Sequence, residues 1–291
     1  MASNGRLQRV IVAVTVAGIM VAVVGVASPA SAVPFLGTIT VTTAPTTPPD
    51  YFRYANAYCP WLTKNLGGGV AVIGDAKAKH SVHIDVMALG WDTLAVQGSA
   101  KEHDTGFTGP WSVRVTAICG FVTGWERIGA EQDIPPGNLT GTATATCPRS
   151  KKVIGAGGGT SKNPSFKLTS IDPSADLTSV TVKTISPAPA AFEHHVSAVA
   201  ICIDPVPGQQ LVTATSPTNS SDKSVSVACP AGTQVHGTGG GLTGAGGLAH
   251  ITRVDNWGQA RINSVTLEAA NSGGGSLIAG WTAHVHAICA A

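Results

Sequence analysis

An all-β protein made of three homologous, strand-rich repeats is what the sequence predicts, on three observations. Only 12% of its 291 residues are charged while 35 are Gly and 18 are Pro, against about 25% charged in an ordinary soluble chain; Val, Thr, Ser, Ala and Gly are the abundant types, which favour strand and turn over helix. Internal similarity at a period of roughly 83 residues is the second observation. A strict apolar–polar alternation closing each period is the third. The charge deficit excludes a polybasic nucleic-acid binder, a long coiled coil and a charge-rich disordered tail.

Residues 1–32 read as an export signal. Arg6 and Arg9 give a positive start, an apolar run extends from Val10 to Val26, and Ala30-Ser31-Ala32 supplies the small residues of a cleavage site. The competing reading is an uncleaved anchor, because the run reaches the lower limit for crossing a bilayer. Cleavage after Ala32 would remove two of the 18 basic residues and none of the 16 acids, leaving a chain without net charge. Such a chain has no long-range field to steer it to nucleic acid or anionic lipid. The expected product is secreted and extracellular, with no membrane contact after cleavage.

The repeats are expected at 33–120, 121–204 and 205–291. Cys59-Pro60, Cys147-Pro148 and Cys229-Pro230 open the blocks, followed at a constant offset by Gly67, Gly155 and Gly237 and then by triple glycines at 67–69, 157–159 and 239–241. Ile84-Asp85, Ile171-Asp172 and Val254-Asp255 are aligned as a recurring apolar–acid pair. Each block ends on an alternating run, Trp111 to Cys119, His194 to Cys202 and Trp281 to Cys289, with Ala-Ile-Cys closing all three. In these runs the face carrying Trp, Val and Cys is expected to be buried and the other to face solvent. Each repeat should then supply four or five strands joined by Gly, Pro, Asn and Asp turns. Three such units consume the chain beyond the leader and leave no room for a separate catalytic domain.

In an exported chain the six cysteines Cys59, Cys119, Cys147, Cys202, Cys229 and Cys289 read as three disulfides. Repeat symmetry leaves two natural schemes: bridges within repeats, or bridges between neighbouring repeats with Cys59 reaching Cys289. The first is favoured because it asks only that a repeat's first and last strands lie side by side. Zinc ligation is disfavoured, since no two cysteines stand two to four residues apart.

Chemistry-bearing residues are sparse. The triple glycines are not followed by the Lys-Ser or Lys-Thr of a phosphate loop, so they read as positions of close backbone approach. His284 and His286 share one face of one strand and could be half of a metal site; the plainer reading is a solvent face, because Arg114 and Thr116, and Ser197 and Val199, stand at the matching positions. His194 takes the place of Trp111 and Trp281, which read as core plugs. Trp61, Trp91, Trp125 and Trp257 do not recur and lie near turns, which makes them the candidates for ligand contact. The recurring aspartates read as turn formers. No nucleophile elbow and no His-Glu-x-x-His occurs, no cofactor is implied, and no residue is assigned a catalytic role.

The pattern Cys-Pro-Ala-Gly-Thr-Gln-Val-His-Gly-Thr-Gly-Gly-Gly at 229–241, closed by Trp281 and Ala287-Ile288-Cys289-Ala290, resembles a tandem repeat of secreted proteins from high-GC Gram-positive bacteria. That resemblance implies export and a repeat architecture, and brings no activity with it. Repeat one departs from it, with Trp61-Leu62 where repeat three has Ala231-Gly232. A more distant architectural likeness is to β-prism proteins of the vitelline membrane outer layer type and some lectins. It implies pseudo-threefold symmetry and sugar binding; the alternative is three tandem small β-sandwiches. The function expected is recognition of an extracellular target without catalysis, cell-surface glycan foremost. The alternatives are a structural or protein-interaction component of the cell envelope or of a secreted assembly, with a cell-surface protein as partner, and, behind these, a secreted hydrolase drawing His and Asp from different repeats.

Overall fold

The computed structural model describes residues 36–43, 51–90, 94–102, 107–161, 166–189, 191–257, 262–272 and 280–291, together with a short antiparallel pair, Thr15–Val16 with Ile19–Met20. That pair belongs to a unit of its own, 1–33, separate from the unit 34–291. The rest of the expected export signal and its cleavage site lie outside the described residues.

Six strands per repeat replace the expected four or five. They are β1 (Leu36–Thr42), β2 (Phe52–Tyr58), β3 (Lys64–Ile73), β4 (Val82–Leu89), β5 (Ala95–Glu102) and β6 (Ser112–Gly120) in the first repeat, with a short helix α1 (Ala76–Ser81) before β4. The second repeat holds β7 (Glu126–Ile134), β8 (Thr140–Thr146), β9 (Lys152–Ser161), β10 (Lys167–Pro173), β11 (Ser179–Ile185) and β12 (His194–Ile203). The third holds β13 (Gln210–Thr215), β14 (Lys223–Ala228), β15 (Gln234–Thr243), β16 (Ala249–Asp255), β17 (Ser264–Asn271) and β18 (Thr282–Ala290). The extra strand arises because the segment before each Cys-Pro divides in two, and its halves join different sheets. The helix, which period-two patterning does not announce, starts at Asp75, whose carboxylate accepts from the Ala78 N–H at 2.9 Å.

The strands form three six-stranded antiparallel sheets, each shared between two repeats. Their orders are β2-β5-β4-β9-β12-β7, β8-β11-β10-β15-β18-β13 and β14-β17-β16-β3-β6-β1. Thus a repeat gives its second, fourth and fifth strands to one sheet and its first, third and sixth to another, and the third repeat pairs back onto the first through β16 and β3. The result is a β-prism with pseudo-threefold symmetry, and the tandem-sandwich alternative fails because each sheet is completed by strands from two repeats.

Where the three central strands converge, Gly67, Gly155 and Gly237 meet in a cycle. A Cβ on Gly67 would lie 2.8 Å from the Gly237 Cα, and one on Gly237 would lie 3.0 Å from the Gly155 Cα, while one on Gly155 would strike the Leu66 carbonyl. The recurring glycine therefore records backbone-to-backbone packing around the axis. Each bridge joins two sheets at a corner of the prism: Cys59–Cys119, Cys147–Cys202 and Cys229–Cys289, with Cα separations of 5.5, 5.7 and 5.7 Å. The within-repeat scheme holds, although the geometry differs from adjacent first and last strands: each first cysteine follows the repeat's second strand and reaches its sixth strand in the next sheet. The core between the sheets is built from the expected face, including Trp111, Val113, Val115, Ala117 and Cys119, all at most 1% exposed.

Candidate functional site

The outer faces of the closing strands are not the open surfaces that alternation predicts. Arg114, Thr116, Val199 and His286 are buried, and Ser197 and His284 are only half-exposed. The reason lies in the glycine strand running through the middle of each sheet. In the β8–β13 sheet, Gly239 and Gly241 of β15 stand opposite His286 and His284 of β18, and Gly241 stands opposite Ser170 of β10. The same register brings Asp172 beside Gly239. With no side chain on β15, groups on the two flanking strands, about 10 Å apart, close over it. His284 Nε2 lies 2.8 Å and His286 Nε2 3.4 Å from the same oxygen, Asp172 Oδ1. His286 Nδ1 is held at 2.8 Å by the Thr213 hydroxyl. Burial pushes the Asp172 carboxyl up, but the two facing imidazoles outweigh it and hold it well below the usual carboxylate range.

The equivalent row in the β14–β1 sheet carries different groups. Arg114 Nη2 pairs with Asp255 Oδ2 at 2.8 Å, Arg253 Nε approaches Asp255 Oδ1 at 2.5 Å, and the Arg114 guanidinium lies 3.8 Å from the Trp257 ring centroid. The β2–β7 sheet has Ser197 and Val199 at those places, bordering an open groove of about 380 Å³ between β7 and β12. Two expectations from the sequence do not hold. The aspartates are not turn formers: each lies within a strand with a side-chain partner, Asp85 taking Lys101 at 2.9 Å and the Ser99 hydroxyl at 2.6 Å. Nor is Asp85 the counterpart of Asp172 and Asp255. It is the extra residue of a β-bulge between Ile84 and Val86, a place held by Thr169 and Thr252 in the other repeats. The register instead matches Ala88 to Asp172 and Asp255.

His194, expected to be half-buried in a tryptophan slot, is fully buried there and stacks on Phe166 with ring centroids 3.2 Å apart. In repeats one and three a cation covers the tryptophan, Arg53 at 5.0 Å over Trp111 and Lys223 at 4.7 Å over Trp281. Repeat two has Gly141 at the cation's place. Smaller ring and missing cation are thus compensated together. His194 belongs to the β2–β7 sheet and His284 and His286 to the β8–β13 sheet, so the structure does not gather them into one site.

The four candidate tryptophans part company. Trp61 is 85% exposed. Trp125 is half-buried and donates its Nε1–H to the Asn65 carbonyl at 2.7 Å. Trp257 is 49% exposed but stacked on Arg114, and Trp91 lies outside the described residues. Trp61 has company that sequence reasoning missed. Strand β2 is the edge of its sheet, and its outward side chains are Phe52, Tyr54, Asn56 and Tyr58, while Arg53, Ala55 and Ala57 point inward. Phe52, Tyr54 and Tyr58 are 43%, 56% and 55% exposed, and the Phe52 and Tyr54 rings stack with centroids 6.0 Å apart. Past the Cys59 corner the chain carries the exposed Trp61 and Leu62, and the Leu62 φ of 75° is left-handed and costly for a side chain of that kind. Repeat three places Gly232 at the same turn position, at φ 84°.

The fold does not require this aromatic row. At the positions of Phe52, Tyr54, Asn56 and Tyr58, repeat two has Thr140, Thr142, Thr144 and Thr146, and repeat three has Asp222, Ser224, Ser226 and Ala228. All three tyrosines of the chain lie at 51, 54 and 58. Beside the rings run polar groups of β5: Gln97 opposite Asn56 and Ser99 opposite Tyr54. The alternation Phe-x-Tyr-x-Asn-x-Tyr at 52–58 is the sequence signal of this row.

No protein-family model matches the chain, and no curated protein matches it. Among the described residues no helix is long and apolar enough to cross a membrane, and no cysteine is free. Three disulfides in an all-β chain of this size fit an oxidising, extracellular setting.

Proposed function

We propose that the protein is an exported, non-catalytic binding module that recognises an extracellular polysaccharide along the strip Phe52, Tyr54, Tyr58 and Trp61. One observation carries this reading: a row of exposed aromatic rings on one edge strand, where the same strand of the other repeats carries Thr, Ser, Asp or Ala. A large exposed apolar patch that packing does not need marks a binding surface. Alternate residues of a strand stand about 7 Å apart on one face, so successive rings can stack on successive sugar rings of a polymer. Asn56 and Gln97 supply the amide donors and acceptors that orient hydroxyls. Lys101, opposite Phe52, is paired with Asp85 at 2.9 Å, and Arg53 of the same strand points inward over Trp111, so no unpaired charge stands in the row itself, which favours a neutral ligand over a polyanion.

The test is co-sedimentation and affinity electrophoresis on bacterial cell walls and a panel of neutral polysaccharides. Tyr54→Thr and Trp61→Ala should each weaken binding about tenfold, the loss of about 1.4 kcal/mol. Absence of binding across the panel overturns the proposal. A protein partner is the second reading, favoured by the place of β2 as the terminal strand of its sheet with its aromatic face exposed. It predicts crosslinks concentrated at 51–62 to a cell-surface protein and no retention on polysaccharide.

A further inference from the structure

We propose that Asp172, His284 and His286 form a binding site for one divalent transition-metal ion, Zn²⁺ foremost, at the junction of the second and third repeats. His284 and His286 alternate on β18, so both rings project from one face of one strand. Their Nε2 atoms converge on Asp172 Oδ1, contributed by β10 of the preceding repeat. The ligating atoms of the three side chains all lie within 4.8 Å of one another.

The distances suit a shared metal ion as well as an ion pair. An N–H···O bond to a carboxylate runs about 2.7–2.9 Å, and only His284, at 2.8 Å, meets it; His286 faces the same oxygen from 3.4 Å. Ligands held about 2.0–2.1 Å from a tetrahedral zinc stand roughly 3.3 Å apart, which this trio approaches without rearrangement. The two imidazoles are tilted by 58° with centroids 5.1 Å apart and do not stack, and both present Nε2 to Asp172 Oδ1. Thr213 occupies the remaining nitrogen of His286 at 2.8 Å; when that Nδ1–H donates to the hydroxyl, the contact fixes the imidazole as the outer partner of a ligating histidine does, with the Nε2 lone pair free for a metal. Gly239 and Gly241 keep the space beneath clear. Two imidazoles and one carboxylate suit zinc and neighbouring divalent ions of the first transition row. The half-exposed flank at His284 and Asp172 leaves a fourth position for water or a ligand atom. Structural need does not account for the trio: the matching row in the β14–β1 sheet satisfies its aspartate with Arg114 and Arg253. The site is independent of the aromatic strip, which lies on another sheet.

The test uses the full chain stripped by chelator. Titration with Zn²⁺ against a competing indicator should give one equivalent per chain, and Co²⁺ should give the visible absorption of a tetrahedral N/O site. His284→Asn and His286→Asn should abolish both, Asp172→Asn should weaken binding at least tenfold, and Thr213→Val should weaken it by a smaller factor. His195→Ala, in the exposed cluster with Asp133 and Glu193, should change neither. In case a variant does not fold, histidine modification of the unaltered protein gives a second reading, with Zn²⁺ protecting His284 and leaving His195 reactive. No uptake of Zn²⁺ or Co²⁺, uptake unchanged in the His284 and His286 variants, or an unprotected His284 would each overturn the site.

Discussion

His194 shows how a single replacement reorganises its surroundings without changing the fold. A tryptophan at this position is covered by a cation in the other repeats; with a histidine, Gly141 replaces the cation and Phe166 closes the space. Burial lowers the pKa of His194, and the neighbouring His195 lowers it further. His236 is likewise pushed down by burial, partly offset by its bond to the Gln234 carbonyl. Both groups therefore take up protons at lower pH in the folded chain than in the unfolded chain, where the ordinary histidine value is about 6.5. Below that pH the unfolded state binds more protons, so their contribution is present above about 6.5 and is lost as pH falls toward the folded values. The unfolding free energy from denaturant titration should drop between pH 7.5 and 5.0, by up to about 1.4 kcal/mol per pH unit for each histidine, and His194→Phe should flatten the drop. An unchanged slope in that variant would show that His194 does not titrate on unfolding. At this scale the sequence is a partial guide. Strand parity places His284 and His286 on one face, but Asp172 comes from a different repeat across a glycine strand, and no local pattern encodes that meeting. The bulge in β4 displaces Asp85 from its apparent match, because an inserted residue is invisible to spacing alone.

At the scale of elements, period-two alternation identifies strands reliably and their burial poorly. The run from Ser112 to Gly120 is buried on both faces, since its outer side chains sink into the trough left by the glycines of β3. Each repeat has more strands than its alternation indicates because the segment before each Cys-Pro feeds two sheets, and nothing in its composition marks the crossing. Each disulfide sits at such a crossing. The loops closed span 55 to 60 residues, for which chain entropy gives about 4 kcal/mol per bridge. Replacing Cys147 and Cys202 by Ser should lower stability by an amount approaching that figure, read from the urea midpoint; no change would mean that strand pairing alone holds the corner. The helix α1 performs a related task from the first repeat, with Lys79 Nζ 2.6 Å from Glu268 and His80 Nε2 2.7 Å from Asp222, both of the third.

For the whole molecule, the exchange of strands makes the repeats interdependent. Three copies are legible from recurrence, which narrows the cysteine pairing to two schemes, whereas closure is not, because pairing of β16 with β3 joins residues at opposite ends of the chain. An isolated stretch such as 121–204 would own half of two sheets and no complete core. Expressed alone it should lack the cooperative unfolding of 33–291 in calorimetry; a cooperative transition would show that a repeat is a folding unit by itself. Closure also explains how one scaffold presents three chemistries on equivalent rows: an arginine–aspartate pair under Trp257, a histidine–aspartate cluster, and an open groove beside Ser197. The aromatic strip belongs to the same division of labour, confined to the one repeat whose second strand departs from small polar residues. The most direct measurement is therefore the binding isotherm of a cell-wall polysaccharide to the unaltered chain and to Phe52→Thr/Tyr54→Thr/Tyr58→Thr, which gives repeat one the residues of repeat two. Loss of binding with an unchanged unfolding midpoint is the predicted result. Undiminished binding by the exchanged chain would contradict the assignment of ligand recognition to this edge.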